Sequence, residues 1–445
     1  MAYVSRYGRR PREFASKASH SYIINDEEIV SFLEGCDLPK TADEVDIPKH
    51  LLVGIDTPEK NPIKKIVTVD GGYTEVTVRK DFPSSTLSFI QFGALMFETA
   101  DLLEISKKEF IDPTDMARLK AVERHKLALP TKNLTMKDTT SLTDSVRRTV
   151  FEFFGRDENN NFLETLKWLA FEEFGKPQDT YSLSRCPVCK ERDIPLSRAK
   201  MNKTYRFACT ACGEPIFLTD ILRLHEGVDD EIGAGGIVSY LMTSLEQIAV
   251  AHVIRLLLGI NPSFLRETFF VKDGPLAYFG LTANLHAPMR ALTNFLQLNH
   301  DIYLVGLEKS GAFVEHADEI KDKLPPNTAL LLSNEYIYKY IKPSKADLSE
   351  PYGRSTYYGA KLIYKSGSGR IHVATIPTKD ADVMLNPKKS DFHNIDAILT
   401  NVDSLKCDMY DNALLPVALV NHLVSLSNHP SSVILEKFAK KKIAG

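Results

Sequence analysis

Four cysteines fall in two close pairs, "CPVC" at 186–189 and "CTAC" at 209–212, with nineteen residues between them. Two such knuckles can offer four thiolates in a tetrahedron, the arrangement that holds a structural zinc ion and leaves no open position for catalysis. The spacing predicts a zinc ribbon over 183–222, with Cys186, Cys189, Cys209 and Cys212 as its ligands. In the same stretch Lys190, Arg192, Arg198, Lys200, Lys203 and Arg206 stand beside Tyr205 and Phe207, a basic and aromatic mixture able to meet a phosphate backbone. The plainer reading is that the metal staples a segment too poor in core residues to fold alone. Cys36 and Cys407 stand apart and read as ordinary buried thiols.

A second set of residues could hold a different metal. "KKIVTVDGGYTEVTV" and "ETFFVKDGPLAYFG" each run through strand-like residues to an acid and a glycine, at Asp70 and Asp273. Carboxylates leaving rigid strands for a cleft suit Mg2+ or Mn2+, which take hard oxygen ligands. Taken singly, Asp-Gly after a strand is most often a turn. Glu246 adds weight, because Met242, Val250 and Val253 are its helical neighbours and its carboxylate is aimed at an apolar side. A buried charge of that kind needs a cation, or else a structural salt bridge to Arg255 or another base. His422 repeats the pattern in "LLPVALVNHLVSLS", among Ala418, Leu419 and Leu426. By itself it is a core histidine; with three acids it becomes a metal ligand or proton shuttle.

Several elements must position these groups. From Ile66 to Phe97 β-branched and aromatic residues form two runs joined by "KDFPSS", which predicts adjacent antiparallel strands. From 105 to 240 the composition changes to charged helices, the cysteine segment and the glycine-rich "GVDDEIGAGGIV", an inserted region. A helix at 238–258 follows, then a strand ending at Asp273, a helix around "APMRALTNFLQL" and a strand "DIYLVGLE". Strands around "STYYGAKLIYKS" and "GRIHVATIP" come next, and a helix from Pro416. Strands first and alternating elements later suit one α/β unit split by the insertion.

The 445 residues can form two or three domains, and 43% hydrophobic with 25% charged residues is ordinary globular usage. A net charge of −3 excludes a basic coat over the whole surface but not a local basic groove. The polar, basic N-terminus lacks the apolar run of a secretory signal. "IVSYLMTSLEQIAVAHVIRLLLGI" contains Glu246, His252 and Arg255, so it reads as a buried helix and not a membrane span. Paired cysteines fit a reducing compartment, and the expectation is a cytoplasmic protein. A dinucleotide-binding oxidoreductase would need G-x-G-x-x-G after a strand, whereas "GAGG" at 233–236 follows acidic loop residues.

In this order the pieces resemble the NurA family of nucleases, which accompany HerA hexameric DNA translocases. The resemblance is carried by "VTVDGGYTE" at Asp70, the helix of Glu246, "FFVKDGPL" at Asp273, "LVGLEKSG" with Lys309, and "LPVALVNHL" with His422. It implies an α/β fold with an RNase H-like mixed sheet flanked by helices, interrupted by a helical and zinc-ribbon insertion. Residues 1–105 and 238–445 would be the two parts of the nuclease core and 106–237 the insertion. It also implies 5′ to 3′ exonuclease action on DNA with Mn2+ or Mg2+, with single-strand endonuclease cutting as a second mode. A homodimer docked on a HerA-like ATPase, in DNA end processing or anti-phage defence, completes the implication. One departure is that Leu415 precedes Pro416 where the family has tyrosine; Tyr410 is near but out of register.

On this reading Asp70, Glu246, Asp273 and His422 form a divalent-metal phosphodiesterase site. Lys309 would contact phosphate, or else is a solvated lysine. The alternative is a catalytically silent scaffold that binds DNA or a partner through its zinc ribbon.

Overall fold

The two β-branched runs from Ile66 to Phe97 form the two longest strands among the described residues. The structure, a computed structural model, describes residue 23 and residues 26–36, 38, 40–79, 83–105, 120–159, 161–343, 347–407, 414–426 and 431–444. Strand β1 (Leu52–Gly54) precedes β2 (Lys65–Arg79), β3 (Ser85–Glu98) and β4 (Lys120–Lys132). Four short strands follow in the cysteine segment: β5 (Thr180–Arg185), β6 (Arg192–Ser197), β7 (Arg206–Ala208) and β8 (Pro215–Phe217). The chain then returns to the main sheet through β9 (Thr268–Asp273), β10 (Tyr303–Glu308), β11 (Thr328–Leu331), β12 (Gly359–Lys365) and β13 (Ile371–Pro377).

Nine strands make one mixed sheet, in the order β1-β11-β12-β13-β10-β9-β2-β3-β4. The expected hairpin is present, and β2, β3 and β4 form an antiparallel meander. β9 joins it in parallel beside β2, and β10 in parallel beside β9. Parallel neighbours need a crossover element between them. The helix α6 (His286–Asn299) supplies it for β9 and β10.

Alternation along the strands divides the core in two. Val67, Val69 and Phe270 pack with α3 (Leu142–Phe154), α4 (Asn161–Ala170) and α5 (Val238–Ile260). Ile66, Phe269 and Val271 pack on the other face with α7 (Ala312–Ile320), α8 (Ile395–Ser404) and α9 (Leu415–Val424). A mixed sheet with helices on both faces is the architecture that the resemblance implied. Further helices are α1 (Glu27–Glu34) near the N-terminus, α2 (Thr99–Ile105) directly after β3, and α10 (Ser431–Ala444), whose Ala439 packs with Val76, Val78 and Leu87. α5 is apolar nearly all round, as a helix enclosed by its own protein must be. Though long and apolar enough to cross a membrane, it has 72% of its most apolar window buried inside the protein.

Three expectations change. The segment read as an insertion contains β4, which pairs with β3 along the edge of the main sheet. Nor does the cysteine segment fold on a small core of its own: Leu183, Ile194, Phe207 and Ile216 lie in one cluster with Phe92 and Leu245. Cys36 is exposed, while Cys407 is buried as expected.

The sequence Asp70-Gly71-Gly72 is not a turn; it sits within β2, opposite Gly93, Phe92 and Gln91. The glycines serve close approach. A Cβ on Gly71 would stand 2.4 Å from Met242 Sδ of α5, and one on Gly72 3.2 Å from the Val424 carbonyl oxygen at the end of α9. Bare backbone lets both helices press on the strand beside the acid. Asp273 does end its strand, and Gly274 turns with φ +84. The turn crosses β10 at Gly306, where a Cβ would meet Gly274 O at 2.6 Å and Leu276 N at 2.8 Å.

Gly306→Ala therefore pushes on backbone that cannot rotate away, and we expect a loss of about 1–3 kcal/mol. Gly54→Ala, with open space around its Cβ, should stay within about 0.5 kcal/mol. Urea unfolding of both variants checks the contrast.

Candidate functional site

β2 and β9 run parallel with Val69 opposite Lys272. One step further brings Asp70 and Asp273 side by side on the same face, since neighbours in a parallel ladder share a face. β9 stops there while β2 continues to Arg79, so the acids stand where the sheet opens. Glu246 comes from the opposite face on α5, and its carboxylate lies 3.3 Å from Lys272 Nζ. Lys272 also donates to the Asp273 main-chain oxygen, tying α5 to the end of β9. The Gln247 amide, one residue on, donates to Ala277 O at 2.7 Å and holds the same helix to the chain beyond Gly274. Lys309, just past β10, donates to Asp273 Oδ2 at 2.6 Å.

The electrostatics follow from this crowding. Burial, reinforced by the neighbouring Asp273 charge, pushes the Asp70 carboxyl up to about 6, against the Gly71 N–H, the Asn421 amide and Lys309. Burial also pushes Glu246 up to about 7; Lys272 opposes this, while Asp70 and Asp273 add to it. Asp70 Oδ1 accepts from Gly71 N at 2.7 Å. Oδ2 is buried without a hydrogen-bond partner among the described residues. An unsatisfied buried acceptor costs about 1–3 kcal/mol, and more when charged. Such an atom, beside the carboxylates of Asp273 and Glu246, fits a hard divalent cation. The three acids are not closed into a cage. Among the described residues, the four cysteines are the only group of three or more such ligands whose atoms all lie within 4.8 Å of one another.

The structure thus brings together Asp70, Asp273, Glu246 and Lys309. It does not bury His422, which faces solvent on α9 beside the exposed Asn421. The apolar neighbours counted along the sequence do not enclose it, because α9 buries its earlier turns and emerges at 421–422. Asn421, not His422, is the α9 residue that favours the charged form of Asp70. Arg255 is no partner for Glu246; it donates to Thr165 Oγ1 at 3.0 Å and Asn161 O at 3.3 Å. Tyr410 lies outside the described residues. Sequence reasoning passed over Lys272 and Asn421. A lysine inside the apolar run "TFFVKD" was a usable signal, since a strand core buries lysine only with a partner.

The cysteines converge as the spacing predicted. Cys186 and Cys212 Sγ lie 4.0 Å apart, and Cys189 and Cys209 Sγ 3.9 Å. Those separations are too long for disulfides, whose sulfurs bond at about 2.05 Å. They match the tetrahedron edge of about 3.8 Å that follows from Zn–S bonds of about 2.3 Å. Each knuckle repeats one contact, Val188 N–H to Cys186 Sγ and Ala211 N–H to Cys209 Sγ, both at 3.4 Å. Burial raises the Cys209 thiol, but the N–H groups of Cys212 and Ala211 outweigh it and bring it down to about 7. The donor set suits zinc as a structural ion.

No family model and no curated protein matches the chain. The chain is similar to two solved structures over nearly its whole length. One is the NurA nuclease from Sulfolobus solfataricus, 9% identical, covering 97% of this chain and 98% of that one at a TM-score of 0.34. The other is NurA with manganese, 12% identical, covering 94% and 93% at a TM-score of 0.27. With such scores, the functional reading rests on the side chains themselves.

Asp70→Asn keeps an acceptor for Gly71 N–H and removes the buried charge. Because the folded pKa is raised, the penalty is absent below about pH 4, where folded and unfolded chains are both protonated, and complete above the folded value of about 6. We expect the metal-free variant to exceed the parent in stability by up to about 3 kcal/mol at pH 8 and by little at pH 4. Thermal unfolding across that range reads the difference. Separately, Cys209→Ser should reduce bound zinc and lower the melting temperature of the whole chain, because the ribbon shares the main core; metal analysis and calorimetry test both.

Proposed function

We propose that this chain is a divalent-metal-dependent phosphodiesterase that cleaves DNA. The observation that carries the reading is the buried, unpartnered Asp70 Oδ2 beside Asp273 and Glu246. Asp70, Glu246 and Asp273 would hold the ion, and Mn2+ or Mg2+ there would polarise the scissile phosphate and activate an attacking water. The Gly71 N–H orients Asp70 through Oδ1. Lys272 keeps Glu246 turned inward and joined to the end of β9. Lys309, paired with Asp273 at 2.6 Å, would contact a phosphate oxygen when Asp273 holds the ion. His422, exposed at the end of α9, would act from the rim of the site, as ligand or as acid toward the leaving oxygen.

The resemblance to NurA nucleases supports the finer reading: 5′ to 3′ exonuclease action with single-strand endonuclease cutting, a homodimer, and a HerA-like hexameric ATPase as partner. The setting would be the cytoplasm, in DNA end processing or defence against phage. The second reading, a silent scaffold, has one observation on its side, that Lys272 and Lys309 already pair with Glu246 and Asp273. The two readings part on cleavage.

Labelled linear DNA should be degraded with Mn2+ or Mg2+ and spared with EDTA. Asp70→Ala and Asp273→Ala should each lower the rate roughly a thousandfold, as loss of several kcal/mol of charge stabilisation demands, with circular dichroism unchanged. Full activity in both variants would remove the carboxylates from the chemistry. Protons compete with the cation, so cleavage should rise with pH through about 6 to 7, the range of Asp70 and Glu246, and then level off.

A further inference from the structure

A cleft of about 780 Å3 lies between α3 and the cysteine knuckles. That is within the usual range of ligand sites, about 300–1,000 Å3. Its aromatic wall is built from two rings, Phe151 of α3 and Phe217 of β8, stacked with centroids 4.6 Å apart and planes 18° from parallel. The Arg206 guanidinium lies over both, 5.2 Å from Phe151 and 5.1 Å from Phe217. Arg147 lies over Phe217 at 4.8 Å and is anchored by two hydrogen bonds to buried Asp220, of 2.9 and 2.8 Å, so it serves as structure.

The mouth of the cleft is different. Among the described residues Arg206 has no ion pair, Lys190 Nζ donates only to the Pro187 carbonyl at 2.9 Å, and Arg148 only to the Asp138 carbonyl at 3.2 Å. Three cations therefore line one cleft without a described carboxylate as partner. Of the acids there, Asp144 lies 3.6 Å from Arg147 and Asp230 binds the Thr143 N–H at 2.9 Å. Glu152 and Glu214 remain free to accept hydrogen bonds.

We propose that this cleft anchors a single strand of nucleic acid away from the carboxylate centre. Arg148 and Lys190 would meet backbone phosphates, the Arg206 plane would stack on a base, and Glu152 or Glu214 would accept from exocyclic amino groups. Cations that no described carboxylate pairs suit a polyanion. A guanidinium held against two rings, without an ion pair, offers a planar partner to an unstacked base, which a duplex does not present. The cysteine segment thereby acquires a task beyond stapling. This rests on the nuclease reading only for the kind of polymer.

The test uses the full zinc-loaded chain carrying Asp70→Asn, so that binding is read without cleavage. Fluorescence anisotropy follows a labelled single-stranded oligonucleotide, and its duplex, over a salt series. Arg206→Ala should weaken single-strand binding about tenfold or more. Arg206→Lys, which keeps the charge without the plane, should recover only part of that. Lys190→Glu, at an exposed position outside the core, should flatten the slope of log affinity against log salt by about 0.7, the share of one neutralised phosphate on a single strand. Unchanged affinity in Arg206→Ala and Lys190→Glu, at parental zinc content and melting temperature, would overturn the proposal, as would equal weakening for duplex and single strand. If the parent chain cleaves nothing with any metal but its single-strand binding still depends on Arg206, the nuclease reading fails and this site stands.

Discussion

The burial of negative charge at the open end of the sheet is the constraint around which the rest is arranged. Asp70 and Asp273 lie beside one another because β2 and β9 run parallel in a register that leaves no other placement. Glu246 is added from α5. Withdrawal from water makes Asp70 and Glu246 harder to ionise, and the neighbouring Asp273 charge adds to this at both. Lys272 and Lys309 offset part of the repulsion. What remains collects at Asp70 Oδ2, the atom without a partner among the described residues. A site of this kind holds stored electrostatic strain that a cation would relieve, which is how a fold becomes specific for charge it does not itself contain.

The packing makes that strain sustainable. Helices press on β2 from both faces where the strand carries glycine, so the acid is clamped by backbone and by Met242 rather than by long side chains. α5 is held to the chain after β9 twice, through Lys272 and through Gln247. The turn at Gly274 donates to Leu307 O at 2.6 Å, which sets the end of β9 against β10 and so places Lys309. Positions are defined by short contacts between rigid elements, the condition under which a polar site keeps its geometry.

The cysteine segment obeys the same economy of core. Its four short strands could not enclose a hydrophobic interior, and its apolar residues instead complete the interior of the main sheet's α5 face. The bidentate Arg147–Asp220 pair, 8% and 2% exposed at its side chains, locks α3 to the chain just after β8. A buried pair of this kind adds definition more than stability. The metal site is then a tie between two ends of a shared core, and its basic rim faces outward.

Much of this was legible in the residues. Cysteine spacing alone defined a tetrathiolate site, because ligand geometry is local and tolerates little variation. The β-branched runs defined β2, β3, β9 and β10, because two-residue periodicity and side-chain stiffness act along the chain. The acids were visible as charges in apolar contexts. What only the tertiary structure decided were relations across elements. The chain by itself could not say that Asp70-Gly71-Gly72 is strand and not turn, that 120–132 pairs with β3 within the supposed insertion, or that Lys272 rather than Arg255 answers Glu246. Nor could it say that α9 offers Asn421 to the acid and leaves His422 in solvent. Each depends on which surface faces which across tens or hundreds of residues, and that is settled by packing, to which helical and strand periodicity are blind.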